Sequence, residues 1–158
     1  YNLDASALLT LETFYPRDLF PLVWEKLDEL LSDGRAYLIE EVYEEIKKGD
    51  DTVCEWLKPR KVYAVRKQSQ EAFTKAQEIL ARYPGLVDVK AILTSADPFV
   101  IADSLITGSV IVTREDKVQP QPNTKKLKIP NVSDSYNVRC LSGQYFATEF
   151  FRENGWEF

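Results

Sequence analysis

The chain has 158 residues, 44% hydrophobic and 28% charged, which fits an ordinary globular protein with a sizeable core; we expect one domain over residues 1–158. Its formal net charge is −5 and its sequence pI about 4.9, which argues against a broad electrostatic footprint for nucleic acid but not against a nuclease whose carboxylates hold a metal. Histidine is absent, so histidine bases, Ser-His triads and histidine-ligated metals are excluded, and chemistry must rest on carboxylates, Lys, Tyr, Cys or water.

Residues 1–9 read as a short strand ending near Asp4 and feeding a helix that either Asp4 or Ser6 can cap. Phe20 to Leu31 predicts an amphipathic helix with Leu22, Val23, Leu27, Leu30 and Leu31 inward. Ala36 to Ile39 is a second strand. Glu40 to Lys48 is a helix closed by Gly49 and crowded with Glu40, Glu41, Glu44 and Glu45. Those acids have a bland reading, since carboxylates suit a helix N-terminus. A short helix is expected over 50–57, a weak strand over Val62 to Val65, and a helix over Ser69 to Tyr83 with Ala72, Phe73, Ala76, Ile79 and Leu80 inward. Pro84-Gly85 is a turn, and 86–93 is ambiguous.

The stretch from Ala96 to Asp116 organises the rest. Asp97-Pro98 is a helix start, with Asp97 as the expected cap. Gly108 ends the helix, and Val110-Ile111-Val112 is a β-branched run typical of a strand buried on both faces. Thr113, Arg114, Glu115 and Asp116 follow at its carboxyl end, where open α/β sheets bind ligands. A polar loop with Lys117, Lys125, Lys126 and Lys128 comes next; it either lines a path for RNA or is simply solvated. Ile129 to Val132 is expected to be extended, Val138 to Leu141 a strand, and Gln144 to Glu153 a final helix.

Strands alternate with helices, which predicts an α/β protein with a mainly parallel sheet covered on both faces. No glycine-rich phosphate loop follows a strand, so a dinucleotide or P-loop site is not expected. The two cysteines, Cys54 and Cys140, make neither a zinc site nor a disulfide framework, and a cytoplasmic location is expected. The start does not read as a signal peptide, no apolar run approaches a membrane span, and no membrane partner is expected. Trp24, Trp56 and Trp156 are read as packing residues, and Cys140 as an inert buried thiol.

Four acids stand out: Asp4 after the first strand, Glu45 in the helix after the second, Asp97 at a helix start and Glu115 past a late strand. Converging on one rim they would repel one another unless protonated or neutralised. Hard cations such as Mg²⁺ or Mn²⁺ prefer such oxygen ligands and activate water for attack on a phosphodiester.

The motifs Leu3-Asp4-Ala5-Ser6, Val42-Tyr43-Glu44-Glu45-Ile46, Ala96-Asp97-Pro98-Phe99-Val100-Ile101-Ala102 and Val112-Thr113-Arg114-Glu115 resemble those of the PIN-domain nucleases, and within them the VapC-like toxins. Phe20-Pro21-Leu22-Val23-Trp24 and the tail Lys128-Ile129-Pro130 through Val138-Arg139-Cys140 resemble a narrower PIN-like subfamily. The resemblance implies a three-layer α/β/α fold and Mg²⁺- or Mn²⁺-dependent endoribonuclease activity. It also implies an RNA substrate, an antitoxin partner and a homodimer. Carried over by position, Asp4, Glu45, Asp97 and Glu115 are its catalytic acids, with Asp4, Asp97 and Glu115 holding the metal. Glu115 stands where the family more often has Asp, so Asp116 is either a substitute for it or a turn residue. Ser6 either orients a water or caps the helix, and Thr113 either supports the site or only packs. Asp103 lies six residues after Asp97 and shares no helical face with it.

Two rival functions are carried. One is an inactive PIN-fold module that binds nucleic acid or protein. The other is a phosphatase-like or hydrolase-like enzyme acting on a small phosphoester, ranked last because Asp4 lacks a partner acid two residues on.

Overall fold

The computed structural model describes residues 1–49, 52–87, 95–119 and 127–157. The architecture is mixed α/β. Strand β1 (Asn2–Leu3) leads into α1 (Ala5–Phe14) and α2 (Pro21–Ser32). Then come β2 (Leu38–Ile39), α3 (Glu40–Lys48), α4 (Thr52–Leu57), α5 (Lys61–Ala64) and β3 (Val65–Arg66). The second half holds α6 (Gln70–Arg82), α7 (Asp97–Thr107), β4 (Ile111–Val112), α8 (Ile129–Ser135), β5 (Cys140–Leu141) and α9 (Phe146–Glu153).

Every strand pairing among the described residues is parallel. The order β1-β4-β5 is set by Leu3 opposite Val112 and Val112 opposite Leu141, and β2 pairs with β3 through Leu38 and Val65. A parallel bridge from Asn2 to Tyr37 joins the two groups, with Leu3 N–H donating to the Tyr37 carbonyl at 2.9 Å. Strands β1, β2 and β4 are wholly buried, so apart from Asn2 they carry Leu, Ile and Val rather than alternating, whereas β3 exposes Arg66 and β5 half-buries Cys140. The side chains of Leu3, Leu8, Leu27, Leu38, Ile39, Ile101, Phe146 and Phe150 fill the shared core.

Local chemistry explains most boundaries. Ser69 caps α6 by accepting Ala72 N–H at 3.1 Å. Gly108 closes α7 in the left-handed region at φ 73°, donating to the Ser104 carbonyl at 2.9 Å. Pro21 opens α2 at a position where its missing N–H costs nothing. Trp24 and Trp56 pack edge to face at 4.8 Å, and the Trp24 indole N–H donates to the Tyr15 carbonyl at 2.7 Å. Trp156 stacks on Phe151 at 5.1 Å. All three tryptophans therefore pack, as expected.

Several expectations are corrected. Asp97 is not the cap of α7: Ala96 takes that position, in helical geometry, and Asp97 is the first helical residue. Ile129 to Val132 is not extended but opens α8. Pro130 sits in its first turn, Ile129 and Val132 bury on one side, and the Asn131 carboxamide accepts Lys128 N–H at 3.3 Å. Val62 to Val65 is mostly the single turn α5; only Val65 enters a strand, and Val62 is 89% exposed. Leu22 and Phe73 are exposed rather than inward, Phe73 lying against Phe99 at 5.6 Å. Cys140 is half-buried, and burial foremost pushes its thiol up to about 12, so it stays protonated and inert. Residues 50, 51, 88–94, 120–126 and 158 lie outside the described residues, among them Lys125, Lys126 and most of the ambiguous 86–93 stretch. Among the described residues no helix is long and apolar enough to cross a membrane.

Candidate functional site

The β1–β4 pairing places Asp4 and Thr113 one residue beyond the carboxyl ends of neighbouring strands. Asp4 N–H donates to the Val112 carbonyl at 2.9 Å, and Thr113 N–H to the Leu141 carbonyl at 3.0 Å. Asp4 is 4% exposed and Thr113 fully buried. Asp4 occupies the cap position of α1, yet its carboxylate makes no cap bond. Oδ2 instead accepts the Ser6 hydroxyl at 2.5 Å and the Thr113 hydroxyl at 2.8 Å. Each hydroxyl has one proton, and both protons are spent on Asp4. The 3.0 Å approach of Ser6 Oγ to Thr113 Oγ1 is therefore a contact enforced by the shared acceptor. The two hydroxyl oxygens in turn accept Arg114 N–H at 3.0 Å and Glu115 N–H at 3.2 Å. Ser6 and Thr113 thus tie the turn after β4 to the start of α1, and neither is a helix cap.

Burial raises the Asp4 carboxyl above its ordinary value, and nearby Glu115 raises it further, against the opposing bonds from Ser6 and Thr113. Asp97 is pushed up to about 8, first by burial and then by Asp4, Glu115 and Glu45, with Lys128 acting the other way. Glu45 exposes much of its length, but its Oε2 lies 3.4 Å from Ala96 N–H at the α7 start; partial burial and then Asp4 raise its carboxyl. Asp4, Glu45, Asp97 and Glu115 therefore share one electrostatic neighbourhood.

Glu115 is held on both oxygens. Lys128 Nζ pairs with Oε1, and Ile129 N–H donates to Oε2 at 2.9 Å. Its side chain is 15% exposed against 34% for that of Lys128. Asp116 is turned elsewhere: it is exposed, its Oδ2 pairs with Arg114 at 2.8 Å, and its Oδ1 lies against Gly143. Asp103 joins a different network. It accepts the Tyr37 hydroxyl at 2.7 Å and the Asn2 amide at 3.3 Å, and Asn2 also reaches Ser104 Oγ at 3.1 Å and the Val100 carbonyl. That network ties β1 and β2 to the middle of α7, two residues along β1 from Asp4.

The donor chemistry of the cluster suits a hard divalent ion, since every acid in it is an oxygen donor. As the side chains stand, no three Asp, Glu or Cys residues among the described residues are placed to hold a metal ion together. Lys117, by contrast with Lys128, pairs with Asp134, away from the cluster. The role of Lys128 was not legible in the sequence, where it is one of several lysines in a polar stretch; only the fold of α8 brings it to Glu115.

A protein-family model described as a domain of unknown function (DUF4411) matches residues 1–158. No curated protein and no solved structure matches the chain.

Proposed function

The chain belongs to the DUF4411 family, and we propose that it is a PIN-like, Mg²⁺- or Mn²⁺-dependent endoribonuclease. The observation that carries this reading is the gathering of acids at the rim of a parallel sheet, where Asp4 follows β1, Glu115 follows β4 and Glu45 reaches the start of α7, and where burial first and then Asp4, Glu115 and Glu45 push the Asp97 carboxyl up to about 8. Clustered acids that resist ionisation together are costly to a fold and commonly mark functional sites. Motif order adds support, since the acids stand where the PIN resemblance expects them.

In this reading Asp4, Asp97 and Glu115 hold the ion and Glu45 orients water. The ion supplies charge neutralisation and an acidified water for in-line attack on a phosphodiester. Thr113 and Ser6 fix the Asp4 carboxylate through their hydroxyls, so that its orientation is set before substrate arrives. Ile129 N–H does the same for Glu115. The finer fold, a three-layer PIN arrangement, belongs to this proposal. So do the toxin role, an antitoxin partner and a homodimer. Phe14, Leu19, Phe20 and Leu22, all exposed in the α1–α2 segment, are apolar surface available to such partners.

The test is cleavage of single-stranded RNA by the purified chain with Mg²⁺, with Mn²⁺ and with chelator, beside Asp4→Asn and Asp97→Asn. Cleavage that needs the ion and vanishes in both variants is expected. Wild type cutting no faster than the variants under either ion would overturn the nuclease reading. A binding module without catalysis is the second reading, favoured by the Lys128–Glu115 pair and by the lack, among the described residues, of three acids set for one ion. RNA retention without cleavage on a filter is its signature. Faster turnover of a small phosphoester than of RNA would point instead to the phosphatase-like reading.

A further inference from the structure

We propose that Lys128 is a built-in counter-ion of the carboxylate cluster, and that it gives up Glu115 Oε1 when a divalent cation binds. The inference rests on the metal-dependent reading above. Its basis is the unequal way in which the two oxygens of Glu115 are held. Oε2 accepts a backbone N–H, that of Ile129, at 2.9 Å. A main-chain donor moves only with the backbone at the start of α8. Oε1 is held by the ammonium of Lys128, at the end of a flexible four-carbon stem. One oxygen is therefore fixed in place while the other is covered by a group that can swing away.

The surroundings explain why a cation sits there. Asp97, Asp4 and Glu115 all act on Lys128, whose ammonium is partly withdrawn from water. Of the other basic side chains described in the segment after β4, Arg114 pairs with Asp116 and Lys117 with Asp134. Lys128 thus places a positive charge among Glu115, Asp97 and Asp4. That charge and a divalent ion compete for the same carboxylate oxygen, and two cations a few ångströms apart repel. Lys128 and the ion therefore exclude each other at Oε1, and the ammonium holds the apo site together until it is replaced.

A merely structural ion pair would lose stability on mutation without changing ion affinity. Lys128→Gln removes the charge, and Lys128→Arg keeps it. Mn²⁺ affinity is measured for wild type and both variants by calorimetry on the full chain, with apo melting temperatures alongside. The expected result is Mn²⁺ binding tighter by about fivefold in Lys128→Gln, a lower apo melting temperature in that variant, and affinity within about twofold of wild type in Lys128→Arg. Equal or weaker binding in Lys128→Gln overturns the counter-ion role and leaves the metal reading standing. No Mn²⁺ binding by any of the three overturns both. A second measurement needs no stable variant for its readout: the Lys128 side-chain resonances of the wild type should move on Mg²⁺ titration, while those of Lys117 stay. Unmoved Lys128 resonances at saturating Mg²⁺ overturn the proposal.

Discussion

The Thr113 hydroxyl donates to Asp4 Oδ2 over 2.8 Å, closing a contact between residues 109 positions apart. It works because Leu3 and Val112 are register partners, so the residues that follow them emerge side by side. Thr113→Val keeps the volume and removes the donor. It also strips Glu115 N–H of its acceptor. We expect a loss of about 1–2 kcal/mol in urea unfolding, since hydrogen bonds to an acidic group and an orphaned amide are both involved. The Asp4 carboxyl, already raised by burial, should titrate higher still once the bond that lowers it is gone. An unchanged urea midpoint and an unmoved Asp4 resonance would show that the contact is idle.

Stability without metal should fall as pH rises. Asp97 binds its proton more tightly in the folded chain, where it is pushed up to about 8, than at the model value of 3.8 that stands for the unfolded chain. Between those values the native state holds the extra proton, so unfolding becomes easier with each step upward in pH. The favourable contribution is full below the unfolded value and lost as pH passes through the folded one. Asp4 and Glu45 are raised too and act in the same direction. Melting temperatures in chelator should therefore decline from about pH 5 to pH 8, and Asp97→Asn should flatten the slope. Because Asp97 makes no cap bond in α7, the substitution carries no capping loss, and at pH 8 the variant should melt above wild type. A variant that melts lower at pH 8, with an undiminished slope, would contradict the cluster electrostatics.

Glu115 and Asp116 should separate cleanly under mutation. Glu115→Gln breaks the pair with Lys128 beside the cluster, whereas Asp116→Asn loosens only an exposed pair with Arg114. Exposed pairs contribute about 0–1 kcal/mol, so Asp116→Asn should leave both stability and ion affinity close to wild type. Glu115→Gln should weaken Mn²⁺ binding. Calorimetry giving the reverse order would place the functional acid at Asp116.

Two glycines can be compared directly. Gly108 and Gly143 both have φ of 73°, but a Cβ on Gly108 meets nothing within 4 Å while one on Gly143 comes within 2.5 Å of Asp116 Oδ1. Alanine at either position costs about 1–2 kcal/mol for the left-handed backbone. Gly143→Ala must also push Asp116 aside from Arg114, so it should be the more destabilising of the two. In an Asp116→Ala background the difference should vanish, and chemical denaturation of the four proteins checks it.

Much of the outline was legible locally. The β-branched Val110-Ile111-Val112 announces β4, Ser69 announces α6, and the acid-rich run from Glu40 with Gly49 behind it sets α3. Expectation and structure part where a short apolar run has two solutions. Ile129 to Val132 is short enough to read as extended, but α8 forms because the Asn131 side chain accepts the N–H of the cap residue Lys128 and Ile129 and Val132 bury together. Phe73 suits an inward position by spacing, yet it ends up exposed beside Phe99. Periodicity reports which face is apolar, but not how far the neighbouring element reaches over it.

By itself, the sequence determined that no chemistry here rests on histidine, and that Asp4, Asp97 and Glu115 follow strands or open helices. It also determined that strands and helices alternate, from which parallel pairing follows because parallel strands need crossover connections. What tertiary structure alone decided was the neighbourhood of each acid. Asp97 caps nothing and is buried within electrostatic reach of three other carboxyls, Asp116 turns out to Arg114, Asp103 turns in to Tyr37 and Asn2, and Lys128 settles on Glu115. The reason is physical: a side chain's charge state and partners depend on distances of a few ångströms between residues far apart in the chain. Those distances are set by strand register and helix packing, which no local pattern of residue types encodes.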